Sequence, residues 1–221
     1  MNKKKILLVA LAFVLVIAIS VAGTLAFLTQ STAEVTNTFV AQKGIIHKTD
    51  TDTGFKLIEH EYSATTKALT TTEVTENTYS GVLPKQKLPK DPKVSVNVET
   101  DAEIYLFIKV TNGTTLINAT VDSTNWEAVD GYANVYVYKG TGSTNNKIKG
   151  TSTAYELTNV SVFKNGDTLD EVQAKDFAET DLPAAGTDGT VSLGTIKVQA
   201  YATQTESFAD AAAAWASTFG A

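Results

Sequence analysis

The chain has 221 residues with 18 basic residues, all of them lysine, against 24 acidic residues, and it contains no cysteine. The lack of cysteine excludes disulfides, thiolate metal sites and a cysteine nucleophile, and the acidic balance argues against nucleic-acid binding, which depends on neutralising phosphates. Runs rich in threonine and valine, separated by glycine, asparagine and aspartate, indicate strands and turns in a chain long enough for one β-sheet core.

The N-terminus has the pattern of an export signal. Lys3 to Lys5 precede an unbroken apolar run from Ile6 to Val21, and small residues follow as far as Ala26. This pattern predicts a signal peptide over residues 1–26 with cleavage between Ala26 and Phe27. An uncleaved membrane anchor is the alternative, because the run approaches the roughly 20 residues that span a bilayer. Cleavage would leave 195 residues with 15 lysines against 24 acids, a net charge of −9.

Short blocks spread along the chain resemble one family of exported proteins. They are Gly23-Thr24-Leu25-Ala26-Phe27, Val35-Thr36-Asn37-Thr38-Phe39-Val40, Pro89-Lys90-Asp91-Pro92-Lys93-Val94, Ala102 to Val110, and Ile196 to Gln204. Together they resemble the SipW-processed family of secreted proteins, the TasA and camelysin family. The resemblance implies a jelly-roll sandwich, processing by a SipW-like signal peptidase and assembly into extracellular fibres. The stretches Ser63 to Ser80 and Gly140 to Gly189 match no pattern of that family.

Residues 27–43 form an N-terminal segment that cleavage would set free. Phe27 to Val40 contains strand-forming residues, and Val35 and Phe39 are spaced by four, which places them on one face of a strand. One hypothesis is that this segment adds to an open sheet edge of the next subunit, with Phe27, Val35 and Phe39 as assembly residues. The other is that Val35 to Val40 pairs within its own sandwich.

The segment from Gly44 to Glu61 contains candidate metal ligands. His47 and His60 are the only histidines, thirteen residues apart, and they lack the helical spacing of zinc proteases. They would share a zinc ion only if Gly44 to His47 paired with Phe55 to Glu61. Asp50 and Asp52 stand before a glycine as in calcium loops, but an ordinary turn is favoured. No Gly-x-Ser-x-Gly motif is present, and we predict a protein that is not an enzyme and has no cofactor.

The middle of the chain shows a connection followed by two clear strands. Thr65 to Thr78 reads as a surface loop or an edge strand, and Pro84 to Pro92 contains three prolines, which indicate a connection. Val94 to Val98 alternates apolar and polar residues like a half-buried strand, and Ile104 to Val110 is apolar on both faces like a central one. Weaker strand patterns occur at Asn159 to Phe163 and Val191 to Ala202.

Asp130-Gly131 predicts a hairpin, because this dipeptide separates two strand-like runs, Trp126 to Val129 and Tyr132 to Tyr138. In the second run Tyr132, Tyr136 and Tyr138 share one face. They would form an aromatic platform for binding, or they would fill one face of a sandwich.

One helix is predicted, over residues 207–219. Ser207 is the expected cap, Asp210 lies in the first turn and Gly220 ends the helix. An apolar stripe of Phe208, Ala211, Trp215 and Phe219 would pack on the sandwich or, if exposed, form a contact surface.

The sequence therefore predicts an all-β, jelly-roll-like antiparallel β sandwich over residues 44–221 that ends in a short helix. The predicted function is that of a secreted structural subunit of extracellular fibres or biofilm matrix, which assembles head to tail by N-terminal strand donation. Its predicted partners are further copies of itself, a minor matrix subunit and, during export, the SipW-like peptidase, and it meets the membrane only through the uncleaved signal. The alternatives are a monomeric cell-surface adhesion module and a camelysin-like metalloprotease.

Overall fold

A computed structural model of the chain describes residues 29–31, 44–47, 54–113, 115–151, 153–164, 172–185, 187 and 191–220. The strands are β1 Thr29–Ser31, β2 Phe55–Ser63, β3 Ala68–Val74, β4 Lys93–Val98, β5 Glu103–Asn112, β6 Ile117–Ala119, β7 Trp126–Ala128, β8 Val135–Tyr138, β9 Ser143–Thr144, β10 Lys147–Lys149, β11 Tyr155–Ser161, β12 Val172–Ala174 and β13 Ile196–Gln204. A 3₁₀ helix covers Glu179–Asp181, and one α-helix, α1, covers Ala211–Thr218.

The strands form antiparallel sheets. The larger sheet has seven strands in the order β1-β13-β5-β10-β9, with β8 also paired to β5 and β7 paired to β8. A second sheet has the order β11-β4-β2-β3, and β12 and β6 form a separate pair. The predicted all-β sandwich with one short C-terminal helix is confirmed.

Strand β5 is the centre of the larger sheet. It pairs with β13 along one side and with β10 and β8 along the other. Side chains alternate between the two faces of a strand, and β5 is apolar on both of them. Ile104, Leu106, Ile108 and Val110 enter the main core, while Tyr105 and Phe107 enter a second cluster on the opposite face. The prediction of a central strand here is confirmed.

The main core lies between the two larger sheets. In β4, Val94, Val96 and Val98 are buried and the intervening residues are half-buried, as the sequence alternation predicts. Phe55 and Leu57 of β2 join them, and Val198 of β13 closes the core from the other sheet. Burying a side chain of this kind stabilises the fold by roughly 1.5–3 kcal/mol relative to exposing it, so these strands hold the two sheets together.

Helix α1 starts later than the sequence predicts. Ser207 has a φ of +76°, which is a left-handed conformation and not a helical one. The cap is instead Asp210, whose carboxylate accepts a hydrogen bond of 2.8 Å from the backbone N–H of Ala213. The helix therefore covers Ala211–Thr218 in place of the expected residues 207–219.

The predicted hairpin is present, but its turn is longer than two residues. Trp126 pairs with Tyr138 and Ala128 with Tyr136, so the strands end before the Asp-Gly dipeptide and resume at Val135. Gly131 and Asn134 both have positive φ, at 78° and 64°. Two left-handed residues divide the connection into successive turns, and a single two-residue turn does not form.

The segments before β4 also agree with the predictions from the sequence. Strand β3 lies at an edge of the four-stranded sheet, with most of its side chains exposed. The proline-rich segment from Pro84 to Pro92 contains no strand, although Lys87 forms an isolated bridge with Gln173. The weaker predictions near residues 159 and 191 correspond to β11 and β13, which begin at Tyr155 and Ile196.

Candidate functional site

The candidate site is the outer edge of β13. This strand pairs with β5 in one unbroken register from Ile196 opposite Asn112 to Gln204 opposite Ile104. Val198, Ala200 and Ala202 point into the main core and are almost fully buried. A strand of nine residues with no register shift is a straight template for a further antiparallel strand.

A short piece of the N-terminal segment pairs with this edge. Thr29 pairs with Thr203, Gln30 with Ala202 and Ser31 with Tyr201, all antiparallel and within the same chain. The strand begins three residues after the predicted cleavage site at Ala26. The predicted assembly residues Phe27, Val35 and Phe39, like Ala26 itself, lie outside the described residues.

Aromatic side chains support this edge from the face opposite the main core. The Tyr201 ring lies 5.0 Å from the Trp215 ring at an interplanar angle of 86°, and 4.9 Å from the Phe219 ring. Trp215 also contacts Phe107 of β5 at 5.3 Å between ring centroids. We call this second apolar cluster the helix-side cluster; its buried members are Tyr105, Phe107, Val129, Val135, Val137, Ala214 and Trp215. The packing of the predicted helix stripe on the sandwich is thereby observed.

The two edges of the four-stranded sheet are irregular, unlike β13. In β3, Thr70, Thr71 and Thr72 lie opposite the single residue Glu61 of β2. The Thr70 hydroxyl donates to the Glu61 carboxylate at 3.4 Å. Extra residues of this kind bend the strand and interrupt the row of backbone donors and acceptors that a new strand needs.

The opposite edge, β11, carries a similar irregularity. Thr158 and Asn159 lie opposite the single residue Ser95 of β4. Asn159 has a φ of +53°, and its backbone N–H donates to the Ser95 hydroxyl at 2.9 Å. Both seven-residue edges of this sheet are therefore poor templates for strand addition.

The two histidines do not come together. His47 Nδ1 lies 3.1 Å from Glu99 Oε2, and His60 Nδ1 lies 2.6 Å from Asp91 Oδ2. The pKa of the Glu99 carboxyl is lowered, first because it accepts the backbone N–H of Thr100 and further because His47 is adjacent.

The pairing that a shared zinc ion would require, between Gly44 to His47 and Phe55 to Glu61, is not formed. Ile46 bridges to Val98, and β2 pairs with β3 and β4, so the two segments follow one another along β4. The described part of the chain contains no group of three metal-ligating side chains. The calcium candidates Asp50 and Asp52 lie outside the described residues.

A buried ion pair was not foreseen from the sequence. Lys90 Nζ lies 2.6 Å from Glu59 Oε2, with 9% of the Lys90 side chain and 2% of the Glu59 side chain exposed. Next to it, Asp91 accepts the backbone N–H of His60 at 2.9 Å. Burial and the nearby carboxylates of Glu59 and Asp91 raise the pKa of Tyr79. The only sequence signal was Glu59 on the apolar face of a strand, where a lone carboxylate requires a partner.

The three tyrosines of the second hairpin strand do not form an exposed platform. Tyr138 is buried in the main core, with its ring 5.5 Å from Trp126, and Tyr136 packs against the same core. Tyr132 lies on the other face of the sheet, against the helix-side cluster. Tyr136 and Tyr138 therefore fill one face of the sandwich, as the second interpretation of the sequence expects, but the prediction that Tyr132 shares that face is wrong.

A groove of about 140 Å³ lies on the outer face of the four-stranded sheet. Lys56, Ser95, Asn97 and Glu156 are among the residues that line it, and neither histidine is. This lining brings together no nucleophile with a histidine base.

Comparisons of the chain with protein-family models, with curated proteins and with solved structures gave no match. Within the described residues, no helix is both long enough and apolar enough to cross a bilayer.

Proposed function

We propose that this chain is a secreted, non-enzymatic structural subunit of extracellular fibres or biofilm matrix. The observation that carries the proposal is the pairing of Thr29–Ser31 with the regular outer edge of β13. The irregular outer edges β3 and β11 disfavour the same addition at the four-stranded sheet. The family resemblance of the signal and of the segment after it, described above, agrees with this function.

Assembly would proceed by exchange of the N-terminal segment. The backbone pairing that β1 makes with its own β13 is chemically the same when the segment comes from a neighbouring subunit. Main-chain hydrogen bonds would supply affinity, and the side chains of Val35 and Phe39 would set the register. Because donor and acceptor are different surfaces, each added subunit presents a new acceptor edge, and the product is an open filament.

Export would control when this exchange begins. We propose that a SipW-like signal peptidase cuts between Ala26 and Phe27, and that until then the apolar run holds the N-terminus at the membrane. The cut would release a segment whose first strand residue is Thr29. The partners would be further copies of the chain, with a minor matrix subunit as a candidate for starting the filament.

The experiment is negative-stain electron microscopy of the chain from Phe27 to Ala221 at rising protein concentration and salt. Salt matters because residues 27–221 carry a net charge of −9, and screening reduces the repulsion between subunits. We expect filaments whose number increases with salt. Monomers that persist under all these conditions would contradict the proposal and favour the alternative of a monomeric adhesion module.

Two variants test the donated segment. Removing Phe27 to Val40 is expected to leave a folded protein that does not polymerise, because the donor is gone. Phe39→Asp is expected to slow filament growth more than Thr38→Asp, its matched control, because Phe39 is the predicted register residue and Thr38 is not. Growth of filaments without residues 27–40, or equal slowing by both substitutions, would refute strand donation.

A further inference from the structure

The helix-side cluster and the β1–β13 ladder meet at one residue. Tyr201 is the residue of β13 that lies opposite Ser31. Its ring also packs against Trp215 at 5.0 Å and against Phe219 at 4.9 Å, and these two rings contact each other at 5.2 Å. The position of β13 at the point where it receives β1 therefore depends on the helix that covers Tyr201.

Helix α1 depends in turn on Trp215. It has eight residues, and a helix this short is not stable by itself in water, so tertiary packing must hold it in place. Only Ala214 and Trp215 of the helix are buried, and Trp215 is its one large buried side chain. Trp215 bridges β13 and β5 through its contacts with Tyr201 and Phe107.

The helix-side cluster is separate from the main core. The inward residues of β13 are Val198, Ala200 and Ala202, which pack in the main core and do not belong to the cluster around Trp215. Loss of the Trp215 side chain would therefore leave the packing between the two sheets in place. Its effect would be concentrated on the face that supports the edge.

We propose that Trp215 is a positioning residue for the strand-accepting edge of β13, acting through Tyr201. When Trp215 holds α1 on the sheet, β13 is fixed in the geometry that pairs with the N-terminal segment, whether that segment comes from the same chain or from a second copy. When α1 is loosened, the pairing weakens in both settings. The second setting depends on the proposed fibre function; the first does not.

The test is hydrogen–deuterium exchange followed by mass spectrometry, on the chain from Phe27 to Ala221 at concentrations where it is monomeric. Trp215→Ala is compared with the parent, with the conservative Trp215→Phe, and with Leu157→Ala. Leu157 is the matched control because it is a large main-core residue on β11, in the other sheet. Exchange of β4 amides in each variant reports whether the sandwich is folded.

We expect Trp215→Ala to speed exchange about tenfold at Thr29–Ser31 and along the end of β13 that pairs with it. A factor of ten corresponds to about 1.4 kcal/mol, which is the size of the loss of an aromatic contact. Trp215→Phe should restore most of the protection. Leu157→Ala should not speed exchange at this edge more than it speeds exchange in β4. The proposal is overturned if the parent shows no protection at Thr29–Ser31, if Trp215→Ala changes nothing there, or if Leu157→Ala has the same effect. If Trp215→Ala fails to fold, Trp215→Phe becomes the test variant. A positioning role then predicts a small increase in the exchange rate at this edge and at no other strand.

Electron microscopy of the same proteins separates this inference from the fibre function. If the parent forms no filaments but the exchange pattern is as expected, the fibre function fails and the positioning role stands. If the parent forms filaments and Trp215→Ala forms them equally fast, the positioning role is refuted while the fibre function stands.

Discussion

Glu59 and Lys90 bring opposite charges into an apolar setting. The carboxylate lies on β2, the ammonium lies on the proline-rich connection, and their atoms are 2.6 Å apart. Glu59 Oε1 is buried and has no hydrogen-bond partner in the part of the chain that the structure describes. A buried pair of this kind adds little net stability over an apolar pair, but a single remaining charge is strongly unfavourable.

We predict that Lys90→Met lowers the free energy of unfolding by about 3–5 kcal/mol, because it leaves the Glu59 carboxylate buried and alone. The double variant Glu59→Met with Lys90→Met should recover most of this loss. Lys85→Met is the control, since the Lys85–Asp176 pair is exposed and such pairs contribute less than about 1 kcal/mol. Denaturant unfolding measures all three, and a mild Lys90→Met effect would show that the pair is solvated.

Tyr138 gives a second prediction at this scale. Burial, with a smaller effect from Tyr155, raises the pKa of its phenol to about 12. The folded state thus disfavours the phenolate. The contribution of the Tyr138 phenol to stability is therefore complete below its ordinary pKa of about 10, and it is lost as the pH rises from there towards 12. Stability should therefore fall over this range.

The measurement is denaturant unfolding at a series of alkaline pH values for Tyr138→Phe, with Tyr132→Phe as the control. Tyr138→Phe should make the fall in stability above pH 10 less steep, because it removes the group that must ionise. The same substitution removes the 2.9 Å hydrogen bond to the Thr141 carbonyl, so only the slope with pH is diagnostic. Equal slopes for both variants would contradict the assignment.

At the scale of whole elements, the irregular edges limit which strands accept a partner. In β3 three threonines stand opposite one residue of β2, and in β11 two residues stand opposite one residue of β4. The β13 edge has no such interruption. Natural sheets use irregular edges of this kind to prevent uncontrolled pairing, which disfavours growth from the four-stranded sheet.

We therefore predict that deleting Thr71 and Thr72 promotes lateral association. The shortened β3 would pair residue by residue with β2 and present a regular row of backbone donors and acceptors to another copy. Sedimentation velocity at fixed concentration should show larger and less uniform species. The double substitution of both threonines by alanine keeps the extra residues and should sediment like the parent. An unchanged profile for the deletion would mean that the irregularity does not protect this edge.

For the molecule as a whole, the seven-stranded sheet is covered on both faces. The four-stranded sheet covers one face through the main core, and α1 covers part of the other through the helix-side cluster. The chain has no cysteine, so this packing and the backbone ladders hold the fold without disulfides.

The local patterns of the sequence were sufficient for several elements. Alternation in Val94 to Val98 and two-sided apolarity in Ile104 to Val110 identify β4 and the central β5, because the two-residue period of a strand is a property of adjacent residues. The apolar stripe around Trp215 identifies the packing face of α1. These features need no knowledge of which strands become neighbours.

Other features were decided by contacts between distant residues. The Glu59–Lys90 pair and the meeting of Tyr201 with Trp215 join separate parts of the chain. The irregular pairing of β3 exists only relative to β2. Even the start of α1 was ambiguous locally, since Ser207 and Asp210 are both good caps and the turn before the helix selects Asp210.

The sequence by itself determined the class of the fold, the position of its main strands and the packing face of its helix, because these follow from the spacing of apolar side chains. Only the tertiary structure decided that β13 carries the regular edge, that Thr29–Ser31 pairs with it, and that the two histidines stay apart. The physical reason is that register and edge position are properties of pairs of strands. The register and the partners of a strand are fixed only when the two sheets pack together around the main core.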